Sequence, residues 1–194
     1  MKKFFKDHSY DMVKMFLNQF ATAIFGFVLV MASSYAKNET LRNVTSAGAI
    51  LFYLFLLYTM TWEIGFGDRV SVLSGKKKRN IWKGALISLC ANIPNLVFAT
   101  FITLSTFVNV EFISKIGAVC ASAAIFLEGM YTGLLVNQVG GHPLNSYWFI
   151  YFIIILPAIL TCFISYLAGL NDKKLTTWFN PLYPESDRDV KGKR

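Results

Sequence analysis

Four of the polar side chains inside the long apolar stretches of this sequence could bind an ion, a proton or a small solute. They are Glu63, Asn92, Asn95 and Glu128. Because lipid hydrocarbon supplies no hydrogen-bond partner, carboxylates and amides within a membrane must meet one another, water or a ligand. Ionisable groups in such stretches are typical of ion and proton pathways. We therefore take these four residues as candidates for ligand binding or ion coupling.

Glu128 interrupts an apolar stretch whose first half consists mostly of small residues, and Gly129 follows it directly. An unpaired, ionised glutamate there would cost roughly 2.5–3.5 kcal/mol on insertion. We expect Glu128 to face the interior of a helix bundle. There it would be protonated, paired with a cation, or hydrogen-bonded to a group such as Asn92, Asn95 or Tyr131. Exposure at a helix end in the headgroup region is the alternative.

Asn92 and Asn95 belong to a stripe of polar and small residues that recurs every three or four positions. The stripe consists of Ser88, Asn92, Asn95, Ala99, Thr103 and Thr106. Pro94 lies between the two asparagines and lacks the amide hydrogen that would bond to the Cys90 carbonyl group. These groups predict either hydrogen bonds between helices or a solute or ion site. A similar face of the first apolar stretch carries Asn18, Thr22, Gly26 and Ser33.

Glu63 lies near the end of its apolar stretch, roughly 24 Å along a helix from Ala47. This places the carboxylate at the inner edge of the hydrocarbon, where Arg69 or a nearby lysine could pair with it. A structural ion pair and a functional carboxylate are both consistent with this position.

The sequence contains no phosphate-binding loop, no HExxH or GxSxG motif, and no histidine and cysteine cluster at metal-ligand spacing. We therefore expect neither a cofactor nor a metal. The net charge is +8, but the basic residues lie almost wholly in loops and tails. This distribution predicts contact with lipid headgroups and excludes nucleic acid as the expected partner.

Three short motifs resemble those of the GxGD-type intramembrane aspartyl proteases. Gly65-Phe66-Gly67-Asp68 has the GxGD form, Tyr10-Asp11 resembles the Tyr-Asp motif, and Pro157-Ala158-Ile159 is similar to Pro-Ala-Leu. The resemblance implies an intramembrane enzyme in which Asp11 and Asp68 share a proton and activate a water molecule. Only ten residues precede Asp11, and three of them are lysines, so the sequence places Asp11 at the interface. This enzyme is the alternative functional class.

Five apolar stretches account for most of the chain, at about residues 15–34, 47–66, 84–108, 113–136 and 147–170. Each is long enough as a helix to cross a hydrocarbon core of about 30 Å. The sequence therefore predicts an all-α, polytopic membrane bundle. Residues 1–170 form a single transmembrane domain with an interfacial N-terminal segment, and residues 171–194 form a polar tail.

A basic loop between the second and third stretches sets the expected orientation, because Lys and Arg are retained on the cytoplasmic side. The loop contains Lys76, Lys77, Lys78 and Arg79, which are also positioned to meet anionic lipid headgroups. Five full crossings would leave ten basic residues inside and nine outside, whereas a re-entrant fourth stretch gives sixteen and three. We therefore predict four transmembrane helices plus a re-entrant helix, with both termini and the tail cytoplasmic. Five crossings remain the alternative.

These features predict a small integral membrane protein, expected in the plasma membrane. It would move a small solute or ion, or serve as a membrane subunit of a transport complex. Four helices make a slim bundle with little room for a solvated path. Besides the lipid bilayer, we therefore expect a homo-oligomer or other membrane subunits as partners, packed against the faces of small residues.

Overall fold

The computed structural model describes residues 2–108 and 110–173, which are mostly helical. The helices are α1 (Lys2–Tyr35), α2 (Glu39–Leu73), α3 (Lys83–Ala91), α4 (Ile93–Phe107), α5 (Glu111–Leu127), α6 (Thr132–Leu135), α7 (Ile150–Ile153) and α8 (Leu156–Leu170). Two 3₁₀ turns (Gly129–Tyr131 and Leu144–Ser146) and a hairpin of β1 (Gln138–Val139) and β2 (His142–Pro143) are also present. The predicted all-α class is confirmed. The predicted tail lies outside the described residues, except for residues 171–173.

Within the described residues, three helical segments are long and apolar enough to cross a membrane: Phe4–Tyr35 of α1, α2 and the α7–α8 segment Ile150–Leu170. Two bent pairs raise the number to five if each pair counts as one span. Helices α3 and α4 meet at 57°, and α5 meets the segment Gly129–Leu135 at 81°. The sequence predicts one apolar stretch over residues 84–108, but the helix breaks at Asn92, because Pro94 in the first turn of α4 cannot donate a backbone hydrogen bond.

Helix α1 includes the N-terminal residues that the sequence places at the interface, so this segment and the first span form one helix. A short turn follows, in which the Asn38 side chain accepts a 3.0 Å hydrogen bond from the Leu41 amide and caps α2. A second predicted turn, at residues 138–143, is the β1–β2 hairpin. Gly140 and Gly141 have positive φ angles of 64° and 83° there, a conformation that glycine adopts without strain.

Glycines bring α2, α3 and α8 into close contact. A side-chain carbon at Gly65 of α2 would overlap the Tyr166 carbonyl oxygen of α8, and one at Gly169 of α8 would overlap the Trp62 carbonyl oxygen of α2. Gly84 of α3 lies equally close to the Cys162 carbonyl oxygen. Such close approach of backbones is typical of helix packing in membranes. Association there depends on van der Waals packing, because lipid supplies no hydrophobic driving force, and small residues allow that packing.

Several polar side chains are buried inside the bundle, and many large apolar side chains are exposed on its outside. The buried polar residues are Gln19, Thr22, Ser33, Ser46, Thr61, Asp68, Lys83, Ser88, Asn92, Asn95, Glu128, Thr132 and Ser165. The exposed apolar residues include Leu17, Val28, Leu51, Phe55, Val119, Leu160 and Ile164. So many exposed large apolar side chains are unusual for a protein surrounded by water. The pattern suits a protein surrounded by lipid.

The bundle has two distinct ends, which we call the basic end and the hairpin end. At the basic end, Arg69 forms a 2.5 Å salt bridge with Asp172, and Arg79 donates a hydrogen bond to Asn171. These contacts join the basic loop and the end of α2 to the residues that follow α8. At the hairpin end, Asn137 bonds to Arg42 and Asn43 at the start of α2. The start of α1 also lies at the basic end, where Phe4 and His8 line a cavity with the loop lysines.

Candidate functional site

Glu128 lies at the sharp break between α5 and the 3₁₀ turn Gly129–Tyr131. Its backbone amide closes the last turn of α5 with a 2.8 Å bond to the Ala124 carbonyl oxygen. Its own carbonyl oxygen accepts a 2.8 Å bond from the Tyr131 amide and starts the next turn. The side chain is buried, with 3% of the residue exposed. The break therefore carries its carboxyl group into the interior of the bundle.

Gln19, near the middle of α1, is the hydrogen-bond partner of this carboxyl group. Its Nε2 donates a 3.0 Å bond to Oε1 of Glu128, and Gln19 itself is 1% exposed. No Lys, Arg or His side chain forms an ion pair with Glu128 within residues 4–108 and 110–173. The carboxyl group is therefore held by an amide, not by a positive charge.

Two phenol side chains complete the surroundings of Glu128. Tyr53 of α2 and Tyr131 are both buried, and both lie close enough to interact electrostatically with the carboxyl group. The hydroxyl group of Tyr131 is buried without a hydrogen-bond partner among the described residues. A buried hydroxyl group without a partner is rare in proteins, so that of Tyr131 has hydrogen-bonding capacity left beside Glu128.

Three glycines let the backbone after Glu128 pack directly onto α1 and α2. A side-chain carbon at Gly129 would overlap the Ala23 carbonyl oxygen, and one at Gly26 would overlap the backbone of Met130. Further along, a side-chain carbon at Gly133 would overlap Oγ of Ser46. The segment thus follows α1 and α2 from mid-bundle to the hairpin end.

Asn92 and Asn95 form a separate polar centre at the α3–α4 break. Asn92 Nδ2 donates a 2.9 Å bond to the Ser88 carbonyl oxygen, and Asn95 Nδ2 donates a 3.0 Å bond to Asn92 Oδ1. Oδ1 of Asn95 is buried and accepts no hydrogen bond from the described part of the chain. Neither asparagine hydrogen-bonds to Glu128. The sequence suggested these two amides as its donors, but the donor is the side-chain amide of Gln19.

Glu63, the remaining candidate, is exposed on α2 and does not line the Glu128 centre. Arg69 forms its salt bridge with Asp172, and none of the ion pairs among the described side chains joins Glu63 to a nearby lysine. Of the four candidates from the sequence, the structure brings Asn92 and Asn95 together and leaves Glu63 and Glu128 apart from them and from each other.

A second buried carboxylate, Asp68, lies at the basic end and is fully paired. Lys83 Nζ lies 2.5 Å and Lys77 Nζ 3.1 Å from its oxygens, and the Tyr166 hydroxyl group donates a 2.9 Å bond. These contacts tie α2, the basic loop, α3 and α8 together. Lys77 of the predicted lipid-binding cluster thus contacts protein, and with Lys78 it lines a cavity of about 410 Å³.

The aspartates of the protease resemblance have separate partners. Asp11 pairs with His8 at 3.4 Å, and Asp68 is held by Lys83, Lys77 and Tyr166. An aspartyl protease site requires two carboxyl groups that share one proton. The described contacts of these two residues do not include such a bond.

Comparison with protein-family models, with curated protein sequences and with solved structures finds no match to this chain.

The centre at Glu128 has one carboxyl group and neighbouring amide and hydroxyl oxygens. Divalent cations such as Ca²⁺ and Mg²⁺ are usually bound by several oxygen ligands, often with more than one carboxylate. The described residues contain no group of three or more His, Cys, Asp or Glu side chains that could hold a metal ion. The chemistry of the centre suits a proton or a monovalent cation.

Proposed function

We propose that this chain is a small integral membrane protein that moves a proton or a small monovalent cation, with or without a coupled solute, through a site at Glu128. It could do so alone or as a membrane subunit of a transport complex. The observation that carries the proposal is a buried carboxyl group whose one side-chain hydrogen bond, among the described residues, comes from a neutral amide. An ionised carboxylate in that position is costly, so it favours binding a proton or a cation.

The proposed topology has four transmembrane helices and one re-entrant element formed by α5, the 3₁₀ turn and α6. Two contacts support it. Phe107 at the end of α4 packs against Trp148 just before α7, with ring centroids 5.6 Å apart. Asn137, just after α6, bonds to Arg42 and Asn43. The element would thus enter and leave at the hairpin end and reach mid-bundle at Glu128.

This topology leaves both ends of the described chain at the basic end. Because Lys and Arg are retained on the cytoplasmic side of a membrane, the basic end would be cytoplasmic. The plasma membrane is the proposed location. The proposed partner is a second copy or another membrane subunit. The bundle alone is slim, and packing against further helices could complete a solvated path.

Asn92 and Asn95 are a second candidate for contact with the transported species. The supporting observation is Oδ1 of Asn95, a buried acceptor with no partner in the described residues. If a solute or ion passes here, Asn92→Leu abolishes transport while the protein remains folded. A functional but destabilised Asn92→Leu variant would instead assign the pair a structural role.

The decisive experiment uses the purified full-length protein in vesicles that contain a pH-sensitive dye. A potassium diffusion potential set by valinomycin drives protons inward, with sodium or choline as the external cation. We expect the wild type to acidify the vesicles or, with labelled sodium outside, to accumulate sodium, and we expect Glu128→Gln to behave like empty vesicles in both measurements. Glu111→Gln is the matched control, because Glu111 begins the same helix but its side chain is 84% exposed. Equal rates of acidification and of sodium uptake for the wild type and Glu128→Gln would refute the proposal.

A further inference from the structure

A polar cavity of about 530 Å³ lies at the hairpin end, between the α1–α2 turn and the residues after α6. Lys37 and Arg42 bring two positive charges to its wall and Glu39 brings one negative charge, so the wall is cationic overall. The Ser33 and Asn137 side chains add neutral polar groups. The cavity therefore suits the anionic part of a ligand.

Arg42 has hydrogen-bonding capacity left for such a ligand. Its Nη2 donates a 2.8 Å bond to Oδ1 of Asn137 and lies 3.5 Å from Glu39. Its Nε is buried and has no partner in the part of the chain that the structure describes. Lys37, in a left-handed turn conformation, is exposed and forms no ion pair within the described ranges. A phosphate oxygen is a natural acceptor for both side chains.

An apolar groove of about 430 Å³ adjoins this cavity and shares Ser34 and Lys37 with it. Its other walls are Val30, Met31 and Tyr35, on the last two turns of α1. A cationic polar cavity that continues into an apolar groove matches an amphiphile with a negative headgroup. A free anion would leave the groove without a role, and a neutral apolar ligand would leave the cations without a partner.

We infer that the hairpin end binds one anionic phospholipid, with its phosphate against Lys37 and Arg42 and an acyl chain along Val30, Met31 and Tyr35. This site is separate from the Glu128 centre and does not depend on what the protein transports. It lies at the end of the bundle opposite the basic loop, so it differs from general attraction of anionic lipid to Lys76, Lys77, Lys78 and Arg79.

The test counts bound lipids by native mass spectrometry on the full-length protein in detergent micelles. Phosphatidylglycerol and phosphatidylcholine are added in parallel at the same mole fraction, and inorganic phosphate is tested separately by thermal unfolding. Because the basic end also attracts anionic lipid, the result is read as the difference between variants. Lys37→Gln should weaken phosphatidylglycerol binding about fivefold, which corresponds to about 1 kcal/mol per lysine.

Two matched controls separate this site from non-specific effects. Lys115→Gln removes a cation of α5 that is paired with Glu111 and lines neither cavity, so phosphatidylglycerol binding should be unchanged. Met31→Trp should fill the groove and weaken binding, whereas Val28→Trp, on an exposed part of α1 outside the groove, should not.

Three results would overturn the inference. Equal affinity for phosphatidylcholine would remove the role of the cations, and full stabilisation by inorganic phosphate alone would indicate a free-anion site. Equal weakening by Lys115→Gln and Lys37→Gln, or by Val28→Trp and Met31→Trp, would indicate general attraction of lipid to the surface.

Discussion

The side-chain amide of Gln19 donates a 3.0 Å hydrogen bond to the carboxyl group of Glu128, which lies 109 residues further along the chain. Both side chains are buried, and the bond joins the middle of α1 to the break after α5. Loss of the amide would leave a carboxyl group without its one donor among the described side chains. A buried acceptor that loses its donor typically costs about 1–3 kcal/mol.

The first prediction follows from this bond. Gln19→Leu should lower the free energy of unfolding by about 1–3 kcal/mol, measured by thermal unfolding in detergent. The double variant Gln19→Leu/Glu128→Leu should be more stable than Gln19→Leu, because it removes both polar partners. Asn18→Leu is the control, since the one contact of the Asn18 side-chain amide among the described residues is a 3.8 Å bond to the sulfur of Met60. A Gln19→Leu variant as stable as Asn18→Leu would contradict the importance of the bond.

The second prediction concerns the glycine after Glu128. Gly129→Ala should destabilise the protein by about 1–3 kcal/mol, because the new carbon would overlap the Ala23 carbonyl oxygen and push the segment away from α1. Gly48→Ala on α2 is the matched control, because nothing lies within 4 Å of the added carbon. That change should stabilise the helix by up to about 1 kcal/mol. Similar unfolding temperatures for the two variants would argue against close packing at Gly129.

The third prediction concerns Asp68, where burial distinguishes its two lysine partners. The Lys83 side chain is 10% exposed and that of Lys77 is 56% exposed. Asp68→Asn should cost about 3–5 kcal/mol, because it leaves the buried Lys83 ammonium group without its counter-charge. Lys77→Gln should cost at most about 1 kcal/mol, as is usual for an exposed ion pair. The order of the two effects in chemical or thermal unfolding tests this, and a larger effect of Lys77→Gln would contradict it.

The sequence predicted the helical class and the membrane-length stretches because apolar side chains recur over lengths that a soluble core does not need. It also predicted that the face of α1 with Asn18, Thr22, Gly26 and Ser33 is turned inward, and the last three are buried whereas Asn18 is half-buried. The α3–α4 break was less predictable. A proline near the start of a helix can bend it or end it, and the 57° angle depends on the packing of neighbouring helices.

The partners of the buried charges could not be found from the sequence, because these contacts are not local. Gln19 was recognisable only as an amide that interrupts an apolar stretch, and nothing in its spacing connects it with Glu128. The sequence showed Asp68 beside Arg69 at the edge of a basic loop. With so many positive charges nearby, its spacing did not indicate which of them would pair with it. Folding pairs Asp68 with Lys83 and Tyr166, while Arg69 pairs with Asp172.

The last prediction concerns topology and uses single cysteines in a background with Cys90, Cys120 and Cys162 replaced by alanine. Four exposed positions report on the two ends: Ser74 and Lys173 at the basic end, and Thr40 and His142 at the hairpin end. A membrane-impermeant thiol reagent should label Thr40→Cys and His142→Cys in intact cells. Ser74→Cys and Lys173→Cys should be labelled only after permeabilisation.

The physical reason is that the contacts of the residues after α8 fix them beside the basic loop. The Lys173 carbonyl oxygen accepts a 2.8 Å bond from Trp62 Nε1, and Asp172 pairs with Arg69, so Lys173 must lie on the same side as that loop. Labelling of Lys173→Cys together with Thr40→Cys would require five crossings and exclude the re-entrant element.

The same labelling tests the role of the basic loop. Replacing the four basic residues 76–79 with glutamine should give mixed labelling at all four positions, because their charge is what retains the loop on the cytoplasmic side. Unchanged labelling in that variant would show that other segments determine the orientation.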